Sequence, residues 1–504
     1  MLQRFFPRKG PELAIFLLYC LLVLIGLMNH EFRTDEVRPW LIARELNLAE
    51  LAAYLRVEFH PFGWYLLLKI LNWFHLPPES MKFVSGLFAF LAFGVLVFRS
   101  PFTRGQKTLM AINAYFLYQY GVMARPYTLE LFILFLLSAS YEKRKELRAY
   151  WVVLIFFLSI IHVFGFFLAP LFLLRMLADA GTGKFSIRKL LLYGVPVFLS
   201  LILSAWLMNP IDYDFGGILR LTEYFPQRLF QSIAFTFQGL FLLLSPVNWW
   251  EHTMISDLHL SPQIFLVVIL PGFVLLYRYL KHEVFGFSLL VYSWLVVITL
   301  LVVYAFSGFN LSHLGQVMVI LICALWIGDR SGGILFTFIL TLQAYSGSVM
   351  YITDINRPYS SGPKVAEYLS GKGPLTLVGD VPFCTSSWLA YSDRKIVFPD
   401  GVSRAVPMGD KSMLTDMVIR NYVLLPYTGR YLRSSEDFLR NNLRVARCSS
   451  ENPVNLITNY FIRDEESKRL CLTKIQSFTG AINPIEDYHL YELDRSCVTN
   501  CSAK

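Results

Sequence analysis

Apolar positions in this chain fall into long unbroken runs separated by short polar breaks, not into narrow stripes. Runs near the length needed to cross a bilayer place helices at roughly 12–30, 83–98, 108–124, 127–141, 149–162, 163–178, 190–208, 262–280, 285–306, 313–328 and 333–351. The expectation is a polytopic α-helical membrane protein with about eleven transmembrane helices, its membrane domain covering residues 1–351. Residues 31–82 form a long segment between the first two runs, with two or three amphipathic pieces. One of these, "HPFGWYLLLKILNWF" (His60 to Phe74), is apolar but short, so it is expected to lie in the membrane surface as an interfacial helix. Residues 209–261 form a second long segment, in which Trp249 and Trp250 suit the lipid–water boundary.

After Tyr351 the pattern becomes mixed polar. "KVAEYL" and "SSWLAY" read as helices, and "LTLVGD", "KIVFPD", "NYVLLP" and "YHLYEL" as strands. Residues 352–504 are therefore expected to form a small extracytoplasmic α/β domain. It holds five of the seven cysteines, and an oxidising compartment would permit Cys448–Cys471 and Cys497–Cys501 disulfides.

Composition agrees with the pattern: 55% of residues are hydrophobic and 16% charged, where a soluble chain carries about 25% charged residues. The apolar run from Leu13 to Met28 lacks a small-residue cleavage site and reads as a first spanning helix, not a removable leader. The net charge of +9 does not point to nucleic acid. The basic residues concentrate in one set of connections, around Arg4–Lys9, Arg99–Lys107, Lys143–Arg148, Arg175–Lys189, Arg278–Lys281 and Arg330. By the positive-inside rule this set is cytoplasmic, as is the N-terminus, and the 31–82 segment faces outward.

That topology gathers several chemically capable stretches at the outer face: "TDE" (Thr34–Glu36), "EFHPFGWY" (Glu58–Tyr65), "ARPY" (Ala124–Tyr127), "IHVFG" (Ile161–Gly165) and "GFNLSH" (Gly308–His313). Each has a plain structural reading as a helix cap, a snorkelling arginine or a satisfied boundary histidine. Glu130 differs, because a carboxylate within an apolar run needs a partner or a wet cavity, with Arg125 or His162 at hand. Together the stretches place acids, histidines and an arginine on the face without access to cytosolic nucleotides. An activated donor for chemistry there would have to be carried in the lipid. A polyprenyl phosphate sugar suits it: Arg and His side chains bind the phosphate, and a carboxylate takes the proton of an incoming hydroxyl.

Over residues 10–180 the chain resembles the GT-C superfamily of polyprenyl-phosphate-sugar-dependent membrane glycosyltransferases, in the branch of protein mannosyltransferases and lipid A aminoarabinose transferases. Four elements carry the resemblance, in order: Asp35–Glu36 after the first helix; His60, Pro61 and Tyr65 opening an interfacial helix; Arg125 and Tyr127 before the fourth helix; and His162, Phe164 and Gly165. Phe62 and Ile161 depart from the family pattern of proline and threonine. The resemblance implies an inverting transferase, with Asp35 as catalytic base and Glu36 supporting it. Arg125 and His313 would approach the lipid phosphate, with His60, Tyr127, Glu130 and His162 lining the substrate site. The acceptor would be an extracytoplasmic glycan, lipid or protein, and the location the inner membrane of a bacterium. No cofactor is implied as required, and Asp35, Glu36 and His60 leave a divalent metal open. The competing readings are a polyprenyl-phosphate transporter or binding protein without chemistry, and an inactive scaffold.

Overall fold

In the computed structural model, residues 10–58, 60–181, 187–208, 284–303, 311–379, 387–392, 396–397, 436–449, 453–483 and 486–494 are described, together with 229, 232–233, 236, 239–242 and 496. The described residues are mostly helical, with one small sheet near the C-terminus. Among the described residues, four helices are long and apolar enough to cross a membrane: α1 (Gly10–Asn29), α5 (Ser80–Arg99), the Leu191–Met208 part of α10 (Ile187–Met208), and α13 (Gly333–Asn356). Shorter apolar helices are α7 (Tyr127–Ala139), α8 (Arg148–Ile161), α11 (Val284–Val303) and α12 (Leu311–Ile327). α9 (Val163–Gly181) follows α8 almost without a break.

The long helices carry their apolar residues on the outside. Leu17, Leu21, Leu24 and Met28 form an exposed stripe on α1, and Leu191, Leu192, Phe198, Leu199 and Ile202 form another on α10. Such a surface is stable only against an apolar surround, which makes the chain membrane-associated. The helix expected at 262–280 lies outside the described residues, as do Trp249 and Trp250.

One expected helix is two. The run over 108–124 divides into α6 (Arg104–Ala111) and a π-helix (Ala114–Val122). Asn113 makes the break, because its side chain accepts the N–H groups of Tyr115 and Phe116 and donates to Gln343 at 2.5 Å. A side chain that caps a new helix competes with continuing the old one. The 31–82 segment folds into three helices, α2 (Thr34–Glu45), α3 (Leu48–Glu58) and α4 (Gly63–Trp73). α4 has 11 residues, too few to span at about 1.5 Å per residue.

α13 runs five residues past the expected boundary at 351 and leads to α14 (Gly362–Ser370). The sheet has the order β2-β1-β3-β5-β4, with β1 (Thr376–Gly379), β2 (Ile396–Val397), β3 (Val454–Thr458), β4 (Leu472–Phe478) and β5 (Tyr488–Leu493). β2, β1 and β3 are parallel, while β5 runs antiparallel to β3 and β4. Alternation along the strands sends side chains to two cores. Val378, Leu456 and Tyr491 pack on Leu439 and Leu443 of α15 (Glu436–Ser449). Leu377, Ile457 and Leu490 face the other way, into the core shared with α14, a 3₁₀ turn (Ser387–Tyr391) and the helical bundle. Cys448 and Cys471 are each disulfide-bonded. Cys497, Cys501 and the expected "NYVLLP" strand lie outside the described residues.

Candidate active site

α2 begins where α1 has just ended, so the chain turns sharply at His30–Arg33. Glu36, at the third helical position, turns back to accept the Arg33 N–H at 3.0 Å. Its other oxygen accepts the Ala124 N–H at 2.6 Å, and its Oε2 also lies 2.9 Å from His30 Nε2. Glu36 is fully buried, with all its hydrogen-bonding capacity directed at the protein. Burial would raise its pKa, but His30 and the two amides more than offset this and hold it at about 2. His30, just beyond α1, sits between Glu36 and Asp354, whose Oδ2 is 2.8 Å from Nδ1. Burial disfavours the imidazolium, yet the two flanking carboxylates raise its pKa to about 10. The triad Glu36–His30–Asp354 thus ties α2, α1 and α13 together.

Asp35, the next side chain, is different. It remains 22% exposed and is paired with Arg33 Nε at 3.0 Å and Arg125 Nη1 at 2.7 Å. The same Nη1 donates to the Asp35 backbone carbonyl at 2.8 Å. Arg125 follows the π-helix and leads into α7. Its guanidinium carbon lies 5.7 Å from the centroid of Tyr127.

Tyr127 connects this acidic edge to the histidines. Its ring meets His162 edge-on at 4.5 Å and His313 at 5.9 Å. His313 also faces Phe164 at 6.0 Å, and His60 lies 6.2 Å from His162. His162 occupies the extended residue between α8 and α9. Two glycines permit this proximity. A Cβ on Gly165 would come 2.4 Å from the Leu158 carbonyl oxygen, and one on Gly63 would come 2.6 Å from that of Ile160. Only glycine lets α9 fold back beside α8, and α4 dock on the end of α8 beside His60. Glu130, one turn into α7, finds its partner in His162: Oε2 to Nδ1 is 2.7 Å, with both side chains fully buried. Arg125, the other candidate, pairs with Asp35 instead.

All eight residues singled out in the sequence, Asp35, Glu36, His60, Arg125, Tyr127, Glu130, His162 and His313, therefore belong to one continuous cluster. It lies at one end of the bundle: the C-terminal ends of α1, α8 and α13, and the N-terminal ends of α7, α9 and α12. The opposite helix ends carry Arg99, Arg104, Arg144, Arg175 and Arg330. Five buried side-chain atoms of the cluster make no hydrogen bond among the described residues: Asp35 Oδ1, Tyr127 Oη, Glu130 Oε1 and two nitrogens, Arg125 Nε and His162 Nε2. The two nitrogens flank the same Tyr127 ring. Among the described residues no three His, Cys, Asp or Glu side chains form a metal-binding group. Both oxygens of Asp35 face guanidinium groups, and those of Glu36 are held by His30 and two amides.

Sequence reasoning missed His30, Arg33, Asp354, Tyr359 and Glu486. His30 and Asp354 each end an apolar helix, a position that signals a boundary but not a partner. Glu486 carries no local signal at all.

No known protein family, curated protein or solved structure matches this chain.

Proposed function

We propose that the chain is an integral-membrane glycosyltransferase of GT-C type, moving a sugar from a polyprenyl phosphate to an extracytoplasmic hydroxyl. The observation that carries this reading is the pair of buried, unpartnered nitrogens, Arg125 Nε and His162 Nε2, beside a partly exposed carboxylate, Asp35. A buried polar group left unpaired costs about 1–3 kcal/mol; phosphate oxygens would satisfy Arg125 Nε, and His162 Nε2 in the tautomer that carries the hydrogen there. The lipid tail would lie along the apolar helices. The eleven-helix topology, a cytoplasmic N-terminus, an external C-terminal domain and a bacterial inner membrane belong to the same proposal. It is supported by the basic residues at the end of the bundle opposite the cluster.

The reaction is a single displacement. The acceptor oxygen attacks the anomeric carbon from the face away from phosphate, and its proton passes to Asp35. The anomeric C–O bond breaks with its electron pair going to the phosphate, and the configuration inverts. Arg125 stabilises the departing charge, and His162, with Nδ1 accepting from the Glu130 carboxyl so that Nε2 carries the ring hydrogen, donates to the phosphate through Nε2. Arg125 Nη1 holds Asp35 Oδ2, so its turning toward a bound phosphate uncovers that oxygen for the incoming hydroxyl. Glu36 supports the site by fixing the α2 backbone and does not itself take the proton.

The test compares wild type with Asp35→Asn in membranes given labelled polyprenyl-phosphate mannose, glucose, galactose or aminoarabinose and an envelope extract. Release of label by wild type, with Asp35→Asn binding donor but not releasing it, supports the base assignment. Equal release by both overturns that assignment. Donor binding without release by wild type, across all four sugars, makes the chain a lipid-phosphate binding protein instead.

A further inference from the structure

We propose that the C-terminal domain is a working part of the Asp35 site, with Glu486 as the positioning residue that sets Asp35 against Arg125; this rests on the transferase reading above. The ground is a run of five consecutive residues, the first held by the end of α13 and the other four by the chain beyond it. His30 Nδ1 meets Asp354 at 2.8 Å. The Glu31 carboxylate accepts the Tyr359 N–H at 2.7 Å. Phe32 N–H donates to the Tyr391 hydroxyl at 3.2 Å. The Arg33 guanidinium lies over the Tyr359 ring at 5.3 Å. Thr34 donates both its N–H, at 2.8 Å, and its hydroxyl, at 2.7 Å, to Glu486 Oε1. The next residue is Asp35.

The last contact is the most consequential. Thr34 opens α2, and Arg33 before it supplies no capping side chain. The free N–H groups of a helix N-terminus need an acceptor and favour a negative charge. Glu486 provides both from a site 452 residues away. Glu486 is itself buried and oriented: its Oε2 accepts from Ser360 at 3.0 Å and Tyr488 at 3.2 Å, and its backbone carbonyl accepts the Ser361 N–H at 3.0 Å. It therefore fixes the first turn of α2 along the helix axis. Asp35 lies in that turn, and Arg125 grips both its carboxylate and its carbonyl. A shift of the turn would part the carboxylate from Arg125 and from the unpartnered nitrogens, and misplacing a proton acceptor by about 1 Å can cost on the order of a hundredfold in rate.

The experiment uses the full chain in nanodiscs, as wild type, Glu486→Ala and Glu486→Gln, and reads amide hydrogen exchange and sugar release together. Expected for Glu486→Ala is exchange over residues 30–36 faster by about tenfold, the loss expected of a helix cap, with the other helices unchanged. Release should fall by about ten- to a hundredfold with the KM for the lipid-linked donor unchanged. Glu486→Gln, which keeps an accepting oxygen, should recover most of both. In an Asp35→Asn background, Glu486→Ala should remove little further activity, since the two act through one group. Should Glu486→Ala fail to fold, Thr34→Ala, which deletes only the hydroxyl contact, should give a smaller change of the same kind. Unchanged exchange overturns the proposal, as does faster exchange with undiminished release, or an undiminished effect without Asp35. If wild type releases no sugar, the transferase reading falls and the positioning role with it, while exchange still reports whether Glu486 holds the loop.

Discussion

His162 and Glu130 meet at 2.7 Å, fully buried, across the junction of α7 with the break between α8 and α9. Neither has a second partner for its remaining polar atom among the described residues. Removing one member therefore strands the other. His162→Ala is expected to destabilise the chain by about 1–3 kcal/mol, the cost of leaving a buried carboxyl group unpaired. Adding Glu130→Leu to His162→Ala should restore much of that loss, as an apolar side chain needs no partner. Thermal unfolding in one detergent, with the double-mutant cycle, measures both.

Arg125 serves Asp35 through a single nitrogen that reaches a carboxylate and a carbonyl, while its Nε remains for a ligand. Lysine can supply one of these contacts but not the planar set. Arg125→Lys is expected to lower sugar release at least about tenfold and to raise the KM for the lipid-linked donor. Asp35→Asn should lower release alone. Steady-state kinetics of the two variants side by side separates the roles.

The His30 triad makes stability depend on pH. The folded pKa of His30 is raised to about 10, so its contribution is whole below its unfolded value near 6.5 and is lost as pH climbs toward 10. Glu36 is lowered to about 2, so its contribution is whole above its unfolded value near 4.5 and is lost as pH falls toward 2. Thermal stability should therefore be greatest between about 4.5 and 6.5 and decline on both sides. His30→Gln should flatten the alkaline decline, which a melting series from pH 6 to 10 will reveal.

Gly165→Ala places a methyl 2.4 Å from the Leu158 carbonyl oxygen, and backbone cannot step aside cheaply. A destabilisation of about 1–3 kcal/mol is expected, together with weakened donor binding as His162 shifts. Melting temperature and binding of labelled donor are the two measurements.

The helices were legible because a bilayer solvent demands continuous apolarity, and that demand shows residue by residue. The clustering of Asp35, Arg125, Tyr127, His162 and His313 followed from one topological inference, that these stretches share an end of the bundle. The break at Asn113 was not legible: apolar residues continue on both sides, and a side-chain cap overrode them. The partner of Glu130 was narrowed to two candidates, and packing alone chose between them. Asp354 was beyond reach because its role depends on how α13 packs beside α1, and Glu486 because its role depends on how a separate sheet docks; no local pattern encodes either. α15 and strands β3 and β4 escaped for a related reason. Their segments are short and polar enough to read as connections until the sheet supplies partners.

The grip of residues 354–486 on residues 30–34 also has a meaning in time. When His30–Asp35 leaves the ribosome, Glu486 has yet to be made. At about 5–20 residues per second, on the order of half a minute to a minute and a half separates the two. During that interval the nascent chain can hold its first helices in the membrane, but the turn bearing Asp35 has no cap. The Asp35 turn is thus capped only once Glu486 has been made, and a chain cut short anywhere before Glu486 inserts without that cap.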